Sequence, residues 1–367
     1  MSIIRRIEAF ELKLRLREPF RIAMGVSEYS HNIVVRIVDK EGNVGWGEGS
    51  PSLRVNRETV ESNLSAIESV APKLLGVDVF GIERVREILS RVEGNPSTKT
   101  AVETAVFDLI GKNTGRPVFK LLGGYRDYVI TDITLGIKSP EDMARDAVRA
   151  VKRGFRILKV KLGTSPDEDI ERVRLIREAV GDDIIIRVDA NQGWKFDDAI
   201  RVLNKIADYN VELCEQPLPA GELEALAELR RLSPIPIMVD ESVHGMLEAL
   251  KVIEREAADY INIKLMKTGG IIEAMHLAYL AESVGIKCMI GCMGESLLGI
   301  TMGVHFAQAL KNIEFVDLDA DLLLAESLVE KGGASIEKGG IRRAPSMPGL
   351  GIEALAENKL RLRLRKE

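Results

Sequence analysis

Lys159 and Lys161 stand two apart in Leu158-Lys159-Val160-Lys161, and on a β-strand that spacing points both ammonium groups to one face. A buried ammonium is costly unless carboxylates pair with it. Three carboxylates follow in chain order, each ending a short apolar run: Asp189 in Val188-Asp189-Ala190-Asn191, Glu215 in Cys214-Glu215-Gln216-Pro217, and Asp240 in Val239-Asp240-Glu241-Ser242. One such residue alone is commonly a helix cap or turn former. Three at the ends of successive strands form a small, hard, oxygen-only donor set that suits one Mg²⁺ with positions left open for substrate. No His or Cys stands with them, which disfavours zinc. Lys264 ends a further run, Asn262-Ile263-Lys264, and supplies a second ammonium. An acid and a base on opposite faces of one carbon can remove and return a proton, and Lys159 would lower the pKa of its neighbour Lys161, as a base near neutral pH requires. A proton next to a carboxylate leaves a dianion behind, which a divalent cation and Lys159 would stabilise.

Such residues need a scaffold that brings strand ends together. From residue 126 to about 320, short β-branched runs alternate with amphipathic stretches, as parallel βαβ units do. Eight strands are expected at 129–134, 157–161, 184–188, 211–214, 237–239, 260–264, 287–290 and 314–316. Each of the first seven precedes a helical pattern, as in 140–153, where Met143, Ala147, Val148 and Val151 recur three or four apart. Seven strand–helix repeats and an eighth strand predict a (β/α)₈ barrel over residues 126–339, with its site at the C-terminal rim. No GxGxxG or GxxxxGK[ST] lies at a strand-to-helix turn, so nucleotide-binding α/β folds lose their main signal. Strands two and six of eight oppose each other, which sets Lys161 across from Lys264.

The first 125 residues read as an α+β domain: long strands at 3–16 and 32–38, a turn at 39–43, a Gly-rich third strand, then helices at 57–75, 81–92 and 97–112. The segment from about 340 to 367 is expected to complete that domain, its last Leu/Arg alternation forming an edge strand. With 367 residues, 51 basic and 56 acidic side chains and a net charge of −5, there is no basic field for nucleic acid and no polybasic membrane patch. No apolar run approaches the ~18 residues of a membrane span. Three unpaired cysteines, Cys214, Cys288 and Cys292, fit a reducing, cytoplasmic setting. A homo-oligomer is expected. His31, His244, His276 and His305 sit at no strand end and read as structural or surface residues.

The set Lys-x-Lys, Asp-Ala-Asn, Cys-Glu-Gln-Pro, Asp-Glu-Ser, Asn-Ile-Lys and Lys-x-Gly-Gly resembles the enolase superfamily, in its muconate-lactonizing-enzyme-like subgroup. Gly45-Trp46-Gly47-Glu48 and Ala101-Val102-Glu103-Thr104-Ala105 resemble the capping domain of that family. The resemblance implies Asp189, Glu215 and Asp240 as Mg²⁺ ligands, Lys161 and Lys264 as the acid/base pair, and a (β/α)₈ barrel under an N-terminal cap.

Substrate choice is read further out. Asp317 and Asp319, two apart after the eighth strand, share a face and suit a cationic substrate group, most simply an α-ammonium. A calcium loop fits badly, since its sixth and twelfth positions would be Leu322 and Leu328. The Asp-x-Asp resembles dipeptide epimerases, which implies a dipeptide substrate inverted at its C-terminal residue by 1,1-proton transfer. By the same resemblance Thr134, Cys292 and Met293 lie near substrate, and a loop at 19–26, with Arg21, Met24 and Gly25, governs specificity. Gly25 stands where an Ala–Glu epimerase of that family carries a basic residue, so Met24 and Ile22 point to an apolar or mixed side chain unless Arg21 supplies a charge. A muconate-type cycloisomerase, an o-succinylbenzoate synthase and an N-acylamino acid racemase remain alternatives within the subgroup. A catalytically silent barrel that binds a ligand is the alternative from another class.

Overall fold

The computed structural model describes residues 2–367. Strand Ile4–Ile22 runs antiparallel to Gly25–Asp39, which pairs in turn with Val44–Gly49. Leu360–Lys366 adds the opposite edge of this four-stranded sheet by pairing with Ile4–Ile22. Helix Pro96–Thr114 packs on the Gly-rich strand for a metric reason. Two residues of strand advance about 6.6 Å and four of helix about 6.0 Å, so Gly45, Gly47 and Gly49 meet successive turns of the helix. A Cβ on them would lie 2.1 Å from Ala105 O, 2.0 Å from Ala101 O and 2.5 Å from Ser97 O.

Eight parallel strands follow: Ile133–Leu135, Ile157–Lys161, Ile185–Asp189, Val211–Glu215, Ile237–Val239, Tyr260–Lys264, Lys287–Gly291 and Ile313–Asp317, each hydrogen-bonded to the next. Asp132 N donates to Val316 O at 3.3 Å and Leu318 N to Thr131 Oγ1 at 2.8 Å, bringing the first and last strands together into a nearly closed barrel. The crossover helices carry their own end signals. In Pro140–Lys152 the Ser139 hydroxyl accepts from Asp142 N, Pro140 opens the helix, Glu141 and Asp142 occupy its first turn, and Arg149 and Lys152 its last, complementing the helix dipole.

Two expectations change. The strand expected at 129–134 is split: Val129–Ile130 pairs with Ile341–Arg343 in a separate small sheet, because Thr131 and Asp132 are spent closing the barrel. The expected edge strand does form: Leu360–Lys366 joins the N-terminal sheet, and Leu350 N donates to Asp108 Oδ1 of helix Pro96–Thr114 at 2.8 Å. The segment 19–26 is no loop but the end of a hairpin, with Phe20, Arg21 and Ile22 paired to Ser27, Val26 and Gly25. Gly25 has φ +139°, a backbone region that glycine enters freely, so the strands can reverse over the two residues Ala23 and Met24.

The barrel lumen is ionic at the rim and mixed below, where buried Arg187 pairs with Asp132 and Glu212. Leu213, Met238, Met289 and Phe315 form a buried plug, with Tyr260 against it. One register level higher, Lys161, Asp189 and Glu215 lie side by side across three strands, as do Lys264, Gly291 and Asp317 on the other wall.

Candidate active site

Lys159 Nζ lies 2.7 Å from Asp317 Oδ2, 2.7 Å from Glu215 Oε2 and 3.4 Å from Asp189 Oδ2. Burial opposes its ammonium form, but Asp317, Glu215 and Asp189 outweigh that and hold its pKa well above the ordinary lysine value. It is a fixed positive charge. Lys161 Nζ donates to Asp189 Oδ2 at 2.6 Å and Asn191 Oδ1 at 3.1 Å. Lys264 Nζ donates to Asp240 Oδ2 at 2.8 Å, and Asp240 raises its pKa against the effect of burial. Both lysines open on one cavity of about 220 Å³.

Each expected metal ligand is thus turned towards a lysine. Among the described residues, Asp189, Glu215 and Asp240 do not form a group whose oxygens all lie within 4.8 Å of one another, whereas ligand atoms of Cys292, Asp317 and Asp319 do. The chemistry of the three carboxylates nonetheless fits a hard divalent cation. They are buried, oxygen-only and carried on adjacent strands. Glu215 Oε2, although 2.7 Å from Lys159 Nζ, is buried and receives no well-directed hydrogen bond.

Asp317 and Asp319 sit together, as their spacing implies. Burial works against ionisation of Asp317, but Lys159, Lys161 and Lys264 draw its pKa down to about 2. Burial and the charge of Asp317 push Asp319 up to about 7. Thr134 N donates to Asp319 Oδ2 at 2.6 Å, the Thr134 hydroxyl lies 3.5 Å from Asp317 Oδ1, and Cys292 Sγ is 3.9 Å from Asp319 Oδ1. Cys292 and Met293 line the cavity. The pKa of the Cys292 thiol is pushed well up by burial and then by Asp317, so it is no nucleophile.

Several further residues inside these motifs position the site. Lys267 donates to Asp240 through carboxylate and carbonyl, and to Val243 O at 3.0 Å and Asn262 O at 3.3 Å, pinning the fifth strand end. Asn262 Nδ2 donates to Glu215 Oε1 at 2.9 Å. Asn191 bridges Lys161 to Glu241 Oε1 at 3.1 Å. Burial first, then Asp240 and Asp189, push Glu241 up to about 8. The Gln216 side chain ties Asp240 N and Ser242 N to the fourth strand end.

The N-terminal elements clamp the rim. Glu48 accepts from Asn32 Nδ2, Ser296 N and hydroxyl, and Gly299 N. Gly294 O accepts from Ser30 and Asn32, and Gly294 N donates to Ser50 Oγ. Of the specificity residues, Met24 lines the cavity, with Leu16, Phe20, Ile22, Tyr29 and Val55. Arg21 does not: it lines a separate cleft with Gly136 and Lys138, because strand alternation turns it away from Phe20 and Ile22. Gly25 also stays outside, facing Arg54. His31 lines the cavity mouth but is engaged by Glu11 at 2.9 Å.

A near-closed α/β barrel, roofed by an antiparallel sheet and holding carboxylates and lysines on one rim, defines the class of this protein. The chain belongs to the mandelate racemase/muconate lactonizing enzyme family of the enolase superfamily: residues 5–123 match the mandelate racemase/muconate lactonizing enzyme N-terminal domain, and 142–358 the enolase C-terminal domain-like family. It is 42% identical over 351 residues to a hydrophobic dipeptide epimerase of Enterococcus faecalis, covering 95% of this chain and 99% of that one. It is 41% identical to an L-Ala-D/L-Glu epimerase of Bacillus subtilis over 96% of this chain and 97% of that one. The structure of the Enterococcus faecalis dipeptide epimerase complexed with Mg and the dipeptide L-Leu-L-Tyr superposes with a TM-score of 0.94 at 42% identity, over 96% of this chain and 100% of that one.

Proposed function

We propose that this protein is a Mg²⁺-dependent dipeptide epimerase that inverts the α-carbon of the C-terminal residue by 1,1-proton transfer. One observation carries the reading: two lysines from opposed strands and three buried carboxylates share a rim with the paired Asp317 and Asp319. Asp189, Glu215 and Asp240 would hold the Mg²⁺, which when bound neutralises charge on the substrate carboxylate. Lys161 takes the α-proton from one face, and Lys264 delivers one to the other. Lys159 contributes its fixed charge to the developing enediolate. Asp317 and Asp319 hold the α-ammonium of the N-terminal residue, with Thr134 orienting both. The elements of residues 1–125 and the last strand act as a capping domain that excludes water from the barrel of 126–339.

Dipeptides incubated with Mg²⁺ in D₂O are expected to gain deuterium at the α-carbon of the C-terminal residue. Exchange is expected to disappear in both Lys161→Ala and Lys264→Ala. Absence of exchange with every dipeptide of a broad library would overturn the reading. The three buried free thiols suit a reducing cytosol.

A further inference from the structure

The N-terminal end of the barrel, opposite the charged rim, opens on a second cavity of about 580 Å³, a volume that suits a small organic ligand. Lys287, in its lining, begins the seventh strand, and Gly291 ends that strand beside Lys264. At about 3.3 Å per residue the two ends stand about 13 Å apart, so a ligand here lies away from the two lysines of the rim. Four cations line the cavity: Arg126, Arg187, Lys287 and Lys311. Arg187 is neutralised by Asp132 at 3.1 Å and Glu212 at 2.6 Å. Arg126 is not. Its Nη2 donates only to carbonyls, Leu310 O at 3.2 Å and Lys311 O at 3.0 Å, and its Nε is buried with no hydrogen-bond partner. Burial pulls its pKa down, with Tyr125 and Glu314 opposing. Exposed Tyr125 and Tyr128 complete the wall, the Arg126 guanidinium lying over the first ring at 4.8 Å and that of Arg343 over the second at 4.9 Å. Glu314 is the one carboxylate in the lining.

We propose that this cavity binds a nucleoside monophosphate. The inference stands apart from the dipeptide epimerase reading. Arg126, Lys287 and Lys311 put three positive charges on one cavity, none of them ion-paired with a carboxylate among the described residues. A phosphate monoester, with close to two negative charges and three acceptor oxygens, matches that set. Inorganic phosphate would leave most of the space empty. The two exposed tyrosine rings offer a planar base a surface to stack on. Glu314, out of place in a site for a bare anion, accepts from the amino group of a base or from sugar hydroxyls, donors that inorganic phosphate lacks in this form.

The test is calorimetric titration of the full chain, in buffer with Mg²⁺ and without phosphate, using AMP, adenosine and inorganic phosphate as probes. AMP is expected to bind once per chain, and about tenfold more tightly than either fragment. The double variant Lys287→Met/Lys311→Met is expected to weaken AMP by about tenfold or more and to leave adenosine unchanged. Arg126→Met is expected to do the same. Because that variant also loses two bonds to the backbone, the lysine pair decides if its unfolding midpoint drops. Asp189→Asn, a change at the opposite end of the barrel, is expected to keep the affinity for AMP. No binding of AMP overturns the proposal, as does phosphate binding as tightly as AMP, which makes the site one for an adventitious ion only. AMP affinity that survives in the lysine variant, or falls in Asp189→Asn, also overturns it by placing the nucleotide elsewhere. Self-association that the lysine variant abolishes, with no nucleotide bound, makes this face an interface between copies and overturns it too.

Discussion

At the scale of single residues, Asp317 and Asp319 separate the proposed activity from its neighbours in the same family. An enzyme acting on N-acylated amino acids or on cycloisomerase substrates has no α-ammonium for them to hold. Asp317→Asn is expected to lower kcat/KM for a free dipeptide by about a hundredfold, the loss of one charge-assisted hydrogen bond in a buried site. For the N-acetylated dipeptide the loss is expected to be much smaller. Equal loss on both substrates, read by the same deuterium exchange, would assign Asp317 to the support of Lys159, 2.7 Å away, and not to substrate. The roles of Lys267, Asn191 and Gln216 are of another kind. They touch the expected ligands and bases and hold them on the rim. Their motifs are visible in the chain, but what each side chain reaches depends on loops from three different strands.

At the scale of elements, the Gly-rich strand Val44–Gly49 shows why composition in a strand is informative. Gly45, Gly47 and Gly49 share one face, and that face lies against helix Pro96–Thr114 with no room for a Cβ. Gly47→Ala would drive a methyl to 2.0 Å from Ala101 O. Strand and helix must then separate, at a cost of about 1–3 kcal/mol. A fall in the midpoint of thermal unfolding of several degrees checks it. Loss of activity beyond what the unfolded fraction explains is also expected, since Glu48 on this strand grips the loop at Ser296. The hairpin end at 19–26 teaches the opposite lesson. Its Pro, Gly and mixed polarity read as a loop, and only the pairing with the other arm shows that the strand continues. Cross-strand hydrogen bonds leave no periodic trace when both faces are partly exposed.

For the whole molecule, two conditions should change stability in opposite ways. If Asp189, Glu215 and Asp240 hold Mg²⁺, the folded chain binds the ion and the unfolded chain does not. Added Mg²⁺ then raises the unfolding midpoint, by about 3 kcal/mol in stability at a hundredfold excess over Kd. EDTA reverses the shift, and Asp189→Asn is expected to abolish it. Acidification acts through His305, which is fully buried, accepts from Phe119 N at 3.1 Å and contacts Leu350 O at 3.3 Å. Burial lowers its pKa from 6.5 to about 4. Between those values the unfolded chain carries a proton that the folded chain lacks. The contribution of His305 to stability therefore falls as pH drops from about 6.5 through about 4, by about 3 kcal/mol, while carboxyls with raised pKa values such as Asp319 act in the opposite sense. Between pH 7 and pH 4.5, His305→Gln is expected to lose less stability than the wild type does, read from the change in urea midpoint.

The sequence by itself determined the barrel, the strand ends and the identity of the charged rim. Period-2 and period-3.6 patterns survive in one dimension, and a charged residue ending an apolar run is conspicuous there. The tertiary structure alone decided which charges neutralise which. It tied Lys159 to Glu215 and Asp317, turned Arg21 away from the site, and brought Arg54 over Gly25. Those outcomes depend on strand alternation, loop path and the space left by a missing Cβ. None of these is a property of neighbouring residues in the chain.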